Sequence, residues 1–195
     1  MFYNIAKVLF WLFFHVTNII RVRGGENVPK TGNFILCPSH GSNWDPLLLG
    51  VFFPRRCWYM AKEELFHFKP LAAVVRGLGG FPIKRGKGDF GAVMHSIKVL
   101  NEGKPVAIFP EGKRNLHSIG AAKHGAVMIA IKAEKPIVPV AICGKYGFWR
   151  RLTIRIGEPL ELSEYYGRKL SPAELQEITD HVLMKKIKEL KAMGV

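Results

Sequence analysis

The chain has 195 residues, 48% of them hydrophobic, so it is long enough for one domain with a sizeable core and too apolar to be disordered. Its 29 Lys and Arg residues outnumber 15 Asp and Glu, and the formal net charge of +14 favours polyanionic partners: nucleic acid, anionic lipid, phosphorylated substrates or acidic proteins. The three cysteines are widely separated and odd in number, which indicates buried free thiols and excludes a zinc-type spacing.

Residues 2–20 form the first predicted element, an unusually apolar helix followed by Arg21 and Arg23. Its polar residues, with Trp11 between them, recur every three or four positions and so share one helical face: Asn4, Lys7, His15 and Asn18. The segment lacks the charge order of a secretory signal and is short for a spanning helix, although spanning stays open. The pattern favours a helix at the membrane interface, while a helix packed on its own domain is the alternative. We therefore divide the chain into an interface helix, 1–23, and a domain, 24–195.

A buried strand is predicted next, over residues 34–37, and a histidine and an aspartate follow it directly. Four residues separate His40 from Asp45, a spacing that a tight turn can close. An aspartate beside a histidine holds the imidazole in one tautomer and stabilises its protonated form, which makes His40 a candidate general base. Asp45 also precedes Pro46, so it fits the N-cap of a helix equally well.

Apolar runs alternate with helical patterns through the rest of the chain, and this alternation predicts an α/β fold. Further strands are predicted at 57–61, 80–84, 105–109, 136–142 and 152–156. Helices are predicted at 90–101, at 122–133 and from a capping box at Ser171 onward. The sheet is expected to be mixed and mainly parallel, with ligands beyond the carboxyl ends of its strands. Pro136 and Pro139 favour an edge position or a bend for their strand.

The strand at 80–84 leads into a segment suited to a phosphate. Residues 79–88 combine glycines with Lys84, Arg85 and Lys87. Glycine lets the backbone approach a ligand closely, and a guanidinium grips a phosphate with two hydrogen bonds. A solvated basic loop is the alternative, because charge runs are usually exposed.

A second charged segment follows the strand at 105–109 and holds Glu111, Gly112, Lys113 and Arg114. The glutamate can accept a hydrogen bond from a hydroxyl, the glycine can turn the chain, and the arginine can bind a phosphate. An ion pair between Glu111 and Arg114 is the structural alternative.

Together these segments resemble the four ordered motifs of the lysophosphatidic acid acyltransferase family, the glycerolipid acyltransferases with a His-x4-Asp motif. The resemblance spans roughly residues 25–160 and rests on His40 to Asp45, Gly80–Arg85, Phe109–Arg114 and Pro136–Pro139. The chain departs from the family pattern at Ser39, where asparagine is frequent, and at Lys113 and Asn115.

The resemblance implies that an acyl group moves from acyl-CoA or acyl carrier protein to the free hydroxyl of 1-acylglycerol 3-phosphate, giving phosphatidic acid. His40 would be the general base and Asp45 its orienting partner. The remaining substrate-binding residues would be Lys84, Arg85, Glu111, Gly112, Lys113 and Arg114. The acceptor oxygen would attack the thioester directly, since the chain lacks a G-x-S-x-G nucleophile motif. Backbone N–H groups near Gly41 or Gly112 are candidate oxyanion donors.

The expected setting is an anionic membrane surface at the cytoplasmic face, the inner membrane in a bacterium. No cofactor and no metal are expected. Two alternatives stay open: another acceptor, such as glycerol 3-phosphate or a different lysolipid, and a non-catalytic module that binds anionic membranes. Nucleic acid is not an expected partner, because the basic residues are dispersed and the clearest aromatic cluster lies in the apolar N-terminal segment.

Overall fold

The computed structural model describes residues 2–83, 90–112 and 122–195, which form one seven-stranded sheet with helices on both faces. The strands are β1 Asn18–Arg23, β2 Ile35–Pro38, β3 Trp58–Lys62, β4 Gly80–Ile83, β5 Val106–Ala107, β6 Ile137–Gly144 and β7 Arg150–Ile156. The α-helices are α1 Phe2–Thr17, α2 Asp45–Phe52, α3 Lys69–Gly77, α4 Phe90–Asn101, α5 Gly125–Ala133, α6 Pro172–Ile178 and α7 Lys185–Ala192. A π-helical segment, Thr179–Met184, joins α6 to α7.

The sheet is mixed and mainly parallel, as predicted. Its strand order is β1-β7-β6-β2-β5-β3-β4, and only the β6–β7 pair is antiparallel among the described strands. Strand β2 therefore lies at the centre, and the chain that follows it leaves the sheet at the shared carboxyl edge of β2, β5 and β6. This is the edge at which α/β sheets place their ligands.

Alternate residues of the central strands feed two hydrophobic cores, one on each face of the sheet. Phe34 and Leu36 pack on the side of α1 and α2. Ile35 and Cys37 pack on the side of α4, α5 and the C-terminal helices. Burial on both faces explains why the strand reads as a continuous apolar run rather than an alternating one. All three cysteines are buried and free, as predicted.

The N-terminal helix ends at Thr17, so the prediction of a helix to residue 20 is wrong at its last turn. The buried Asn18 amide donates to the carbonyl oxygens of Gly147 and Arg150, at 3.1 and 3.2 Å, and these bonds tie the chain to the edge of β7. Residues 18–23 then pair with β7 in parallel as β1, a strand that the apolar pattern concealed. None of the described helices has the length and the hydropathy needed to cross a membrane.

The two faces of α1 meet different surroundings. Ala6 and Phe14 are buried against the domain, so the helix packs on its neighbour α2. The remaining face carries exposed apolar side chains: Ile5, Val8, Leu9, Trp11, Leu12, Phe13 and Val16. The helix therefore uses one apolar face for packing and leaves a second one open.

Strand β6 lies between β7 and β2, so the edge position predicted from its prolines is wrong. Pro139 is tolerated there because the antiparallel ladder to β7 begins one residue later, at Val140. The Pro139 carbonyl accepts a hydrogen bond of 2.9 Å from the Gly157 N–H. Since Pro139 lies outside the β6–β7 ladder, its missing N–H removes no hydrogen bond from that ladder.

Candidate active site

His40 and Asp45 face each other at the carboxyl end of β2. The distance between His40 Nδ1 and Asp45 Oδ2 is 3.0 Å. A carboxylate can only accept, so the contact places the imidazole proton on Nδ1 and leaves Nε2 with its lone pair. Among the described residues, none hydrogen-bonds to Nε2. The predicted pairing of these two side chains is therefore confirmed as geometry.

Asp45 is held by the loop that carries His40. Its Oδ2 also accepts hydrogen bonds from the backbone N–H groups of Gly41 and Ser42, at 2.8 and 2.7 Å. The N-cap prediction is wrong by one residue: Trp44 is the N-cap of α2, and Asp45 is already helical. The Asp45 side chain turns back to the loop instead of capping the helix, because the loop presents three donors to it. Only 2% of this side chain is exposed, against 11% for His40.

Tyr146 completes the carboxylate's surroundings and was not predicted. Its hydroxyl donates to Asp45 Oδ1 at 2.7 Å from the loop between β6 and β7. Burial, and secondly the nearby Asp45 carboxylate, raise the pKa of this phenol far above its ordinary value of 10.0, so it stays a neutral donor. Since 101 residues separate the two partners, no local spacing could reveal the contact.

Residues of the segment after β5 enclose His40 from the other side. The Glu111 side chain is buried and its Oε1 accepts a hydrogen bond of 3.0 Å from the His40 backbone N–H. The Phe109 ring lies 4.2 Å from the imidazole, centroid to centroid, at a tilt of 35°. Glu111 therefore fixes the backbone of the histidine while Phe109 limits the positions of its ring.

The neighbouring Ser39 has a structural place. This residue is buried, its N–H donates to the Val140 carbonyl, and its Oγ accepts from the Ile142 N–H at 3.1 Å. The serine extends the pairing of β2 with β6 beyond the strand itself. The departure from the family pattern at this position thus concerns the support of His40.

A cavity of about 870 Å³ opens beside the histidine. It lies between α1, α2, α3 and β3, and its wall is mostly apolar. His40, Phe109 and Asn43 form one part of the wall, and Lys7 and Phe10 contribute from α1. Ligand cavities in proteins have volumes of about 300–1,000 Å³, so this one suits a sizeable apolar ligand portion with its reacting atom near His40.

The basic residues predicted to bind a phosphate, Lys84, Arg85, Lys113 and Arg114, lie outside the described residues. Their described neighbours end at the same edge of the sheet: β4 ends at Ile83, and Gly112 follows β5. Both backbone donors suggested for an oxyanion are engaged within the protein. The Gly41 N–H donates to Asp45, and the Gly112 N–H donates to the Phe109 carbonyl. Within 2–83, 90–112 and 122–195, no group of three His, Cys, Asp or Glu side chains is arranged to hold a metal ion.

Comparisons with known proteins agree on one family. A family model described as Acyltransferase matches residues 19–143, a range that contains all four motifs. The chain is 34% identical over 184 residues to the 1-acyl-sn-glycerol-3-phosphate acyltransferase of Bacillus subtilis, covering 88% of this chain and 91% of that protein. The enzyme of the same name from Streptococcus pneumoniae is 25% identical, with 93% and 70% coverage.

A solved structure is similar as well. The crystal structure of the 1-acyl-sn-glycerophosphate (LPA) acyltransferase PlsC from Thermotoga maritima matches with a TM-score of 0.74 and 28% identity. The match covers 97% of this chain and 78% of that one, so the likeness extends over the whole domain described above.

Proposed function

Since the chain belongs to the lysophosphatidic acid acyltransferase family, we propose that His40 is the general base with which it acylates 1-acylglycerol 3-phosphate. The enzyme is a 1-acylglycerol-3-phosphate O-acyltransferase, and its product is phosphatidic acid. One observation carries the assignment of the base: His40, paired with Asp45 and with Nε2 unengaged among the described residues, borders the apolar cavity.

The proposed mechanism uses this geometry in two steps. His40 Nε2 takes the proton of the acceptor hydroxyl as its oxygen attacks the thioester carbonyl. Asp45 stabilises the imidazolium that forms. As the tetrahedral intermediate collapses, the C–S bond breaks, the ester C–O bond remains, and His40 returns the proton to the thiolate. General base catalysis of this kind contributes about 10²–10⁴-fold.

The cavity suits the hydrocarbon chain of the acyl donor. Its wall contains the apolar side chains of Leu47, Val51 and Met60, and burial of each methylene contributes about 0.8 kcal/mol. The thioester carbonyl would then lie at the His40 end, within reach of the acceptor hydroxyl. The donor itself is acyl-CoA or acyl carrier protein, whose phosphate or acidic groups suit a chain of net charge +14.

The acceptor phosphate would bind the basic residues of the two charged segments, Lys84 with Arg85 and Lys113 with Arg114. Support comes from their place in the chain, just after two strands that end at the His40 edge of the sheet. Glu111 and Gly112 would border the same site. The hydrogen bond from the His40 backbone N–H to Glu111 would hold the base at a constant distance from the bound acceptor.

The exposed apolar face of α1 supports association with a membrane, and the cytoplasmic face is the side that we propose. Seven large apolar side chains of one helix face solvent, and Arg21 and Arg23 follow it. Such a face lies well in the interfacial region of a bilayer, with the arginines at anionic headgroups. The lysolipid acceptor already resides in that layer.

Acyl transfer by the purified chain tests the proposal, with labelled acyl thioester and 1-acylglycerol 3-phosphate as substrates. His40→Ala should lower kcat at least about 100-fold. His181→Ala, which removes an exposed histidine of the C-terminal helical segment, is the matched control. Near wild-type transfer by His40→Ala would exclude His40 as the base. For the phosphate, Arg114→Ala should raise KM for the phosphorylated acceptor, and an unchanged KM would remove that residue from the site.

A further inference from the structure

The loop between β6 and β7, residues 145–149, presents two large aromatic side chains to solvent. Phe148 is 73% exposed and Trp149 is 76% exposed, the highest values among the large hydrophobic residues described. Neither ring packs against the domain, although burying such a side chain is strongly favourable. We call this segment the aromatic loop.

The backbone holds the two rings outward. Trp149 has φ +59°, in the left-handed region that bulky residues rarely adopt. Its N–H donates to the Thr17 carbonyl at 3.0 Å, and the buried Asn18 amide binds the carbonyl oxygens of Gly147 and Arg150. The exposure of Phe148 and Trp149 therefore belongs to a fixed loop conformation, and strain of this kind is typical of functional segments.

These same bonds place the aromatic loop at the C-terminal end of α1. The loop backbone therefore lies beside the last turn of that helix, which carries the exposed apolar side chains of Phe13 and Val16. A single exposed aromatic residue needs no explanation, but an apolar surface shared by a helix and a loop indicates a contact with another apolar phase.

The two chain segments that carry this surface contain charges of one sign only. Residues 1–25 and 144–157 contain seven Lys and Arg and no Asp or Glu. Arg150 and Arg151 follow the rings directly and are exposed. Aromatic rings beside arginines and without acidic neighbours match an anionic lipid surface, where rings lie at headgroup level and cations attract the phosphates. A protein partner with an acidic surface would match the arginines but leave the rings without an apolar phase.

We propose that the aromatic loop is a second membrane-contacting element, which inserts Phe148 and Trp149 into an anionic lipid surface beside α1. This inference rests on the proposed membrane association and adds a second point of contact to it. Two contacts define an orientation where one helix alone leaves rotation about its axis free. The loop also carries Tyr146, whose hydroxyl binds Asp45, so membrane contact and the catalytic pair share one short segment.

The buried native thiols allow a site-specific test in the full chain. Cys37, Cys57 and Cys143 are inaccessible, so Phe148→Cys introduces an exposed thiol that takes an environment-sensitive fluorophore. Vesicles of about three parts phosphatidylcholine to one part phosphatidylglycerol should shift its emission to the blue. Phe90→Cys is the control: Phe90 is 68% exposed and lies on α4, which contacts β4 at the opposite edge of the sheet, and its label should not shift.

A second measurement uses the loop residues themselves. Phe148→Ser combined with Trp149→Ser should weaken sedimentation with these vesicles at least about tenfold, while acyl transfer in detergent solution is retained. If the protein sediments with vesicles but the label at residue 148 stays unshifted, the loop contact is wrong and the contact through α1 stands. A response of that label to acyl carrier protein, without a response to vesicles, would equally overturn the loop contact with lipid. Failure of the wild-type chain to bind vesicles overturns both the loop contact and the proposed membrane association, and leaves acyl transfer to be judged by its own assay.

Discussion

Gly50 offers a direct test of the cavity as the acyl-chain site. It lies in α2 and lines the cavity, and a Cβ added there would meet no heavy atom within 4 Å. The first carbon of a leucine side chain at this position therefore displaces no protein atom, and the wall position of residue 50 directs the rest toward the cavity. Leucine also has a higher helix propensity than glycine, by up to about 1 kcal/mol, so Gly50→Leu should not destabilise the fold.

The expected effect on long donors follows from the space that the new side chain occupies. If the isobutyl group displaces three methylenes of the bound chain, about 0.8 kcal/mol is lost for each, or about 2.4 kcal/mol in total. At about 1.4 kcal/mol per factor of ten, kcat/KM for long acyl donors should fall roughly 50-fold. Donors too short to reach residue 50 should keep their wild-type kcat/KM.

The assay measures kcat/KM for a series of saturated acyl thioesters of increasing length, with one acceptor throughout. Gly50→Ala serves as the matched smaller step, since one methyl group should cost about fourfold with the longest donors. An equal loss for short and long donors would refute the reasoning. A second series holds the donor fixed and varies the acyl chain of the acceptor. A loss that follows the acceptor chain in that series, and not the donor chain in the first, would assign the cavity to the lysolipid.

Three further outcomes are expected. Tyr146→Phe leaves Asp45 Oδ1 buried without its donor, so the free energy of unfolding measured in urea should fall by about 1.5–3 kcal/mol. The variant should also change kcat more than KM. Unchanged stability would show that the hydroxyl contributes nothing. In the proposed mechanism Asp45 acts through His40, so the double variant His40→Ala with Asp45→Asn should be no slower than His40→Ala alone, and additive losses would contradict that role. Burial raises the pKa of the Cys57 thiol from 9.0 to about 12, so between these values the unfolded state loses the proton that the folded state keeps. The contribution of this thiol to stability is therefore full below pH 9 and falls by up to about 1.4 kcal/mol per pH unit above it. Unfolding measured from pH 8 to 10 should show that decline, and Cys57→Ala should reduce its slope.

The sequence predicts those parts of the fold that depend on local patterns. Strand β2, strand β6 and the capping box at Ser171 follow from apolar runs and capping residues, and each is observed within a residue or two of its predicted bounds. Strand β1 escaped prediction because its alternating β-branched residues continue an apolar helix without a break. Its identity is decided by a tertiary contact, the bonds of Asn18 to the β6–β7 loop.

In the candidate site, too, local contacts were predictable from the sequence and long-range contacts were not. The approach of His40 to Asp45 was predictable, since both lie in one turn. The contacts that support the pair come from distant parts of the chain: Glu111 is 71 residues away from His40, and Tyr146 is 101 residues away from Asp45. Such partners are assembled by sheet order, which single-sequence patterns do not contain. Tyr146 reaches Asp45 only because β6 is the neighbour of β2 in the sheet.

The position of α1 connects the cavity with the proposed lipid surface. One face of this helix contributes Lys7 and Phe10 to the cavity wall, and the other exposes Val8 and Leu9. A helix with its side chains is about 10–12 Å thick. A lipid hydrocarbon chain that passes from the bilayer into the cavity therefore crosses at most that distance outside the bilayer. Exposing a hydrocarbon chain to water costs about 0.8 kcal/mol of free energy for each methylene, and a short passage keeps that cost low. In the proposed mechanism the base lies beside the cavity and behind one helix, so a lipid would reach His40 while most of its chain stays in an apolar environment.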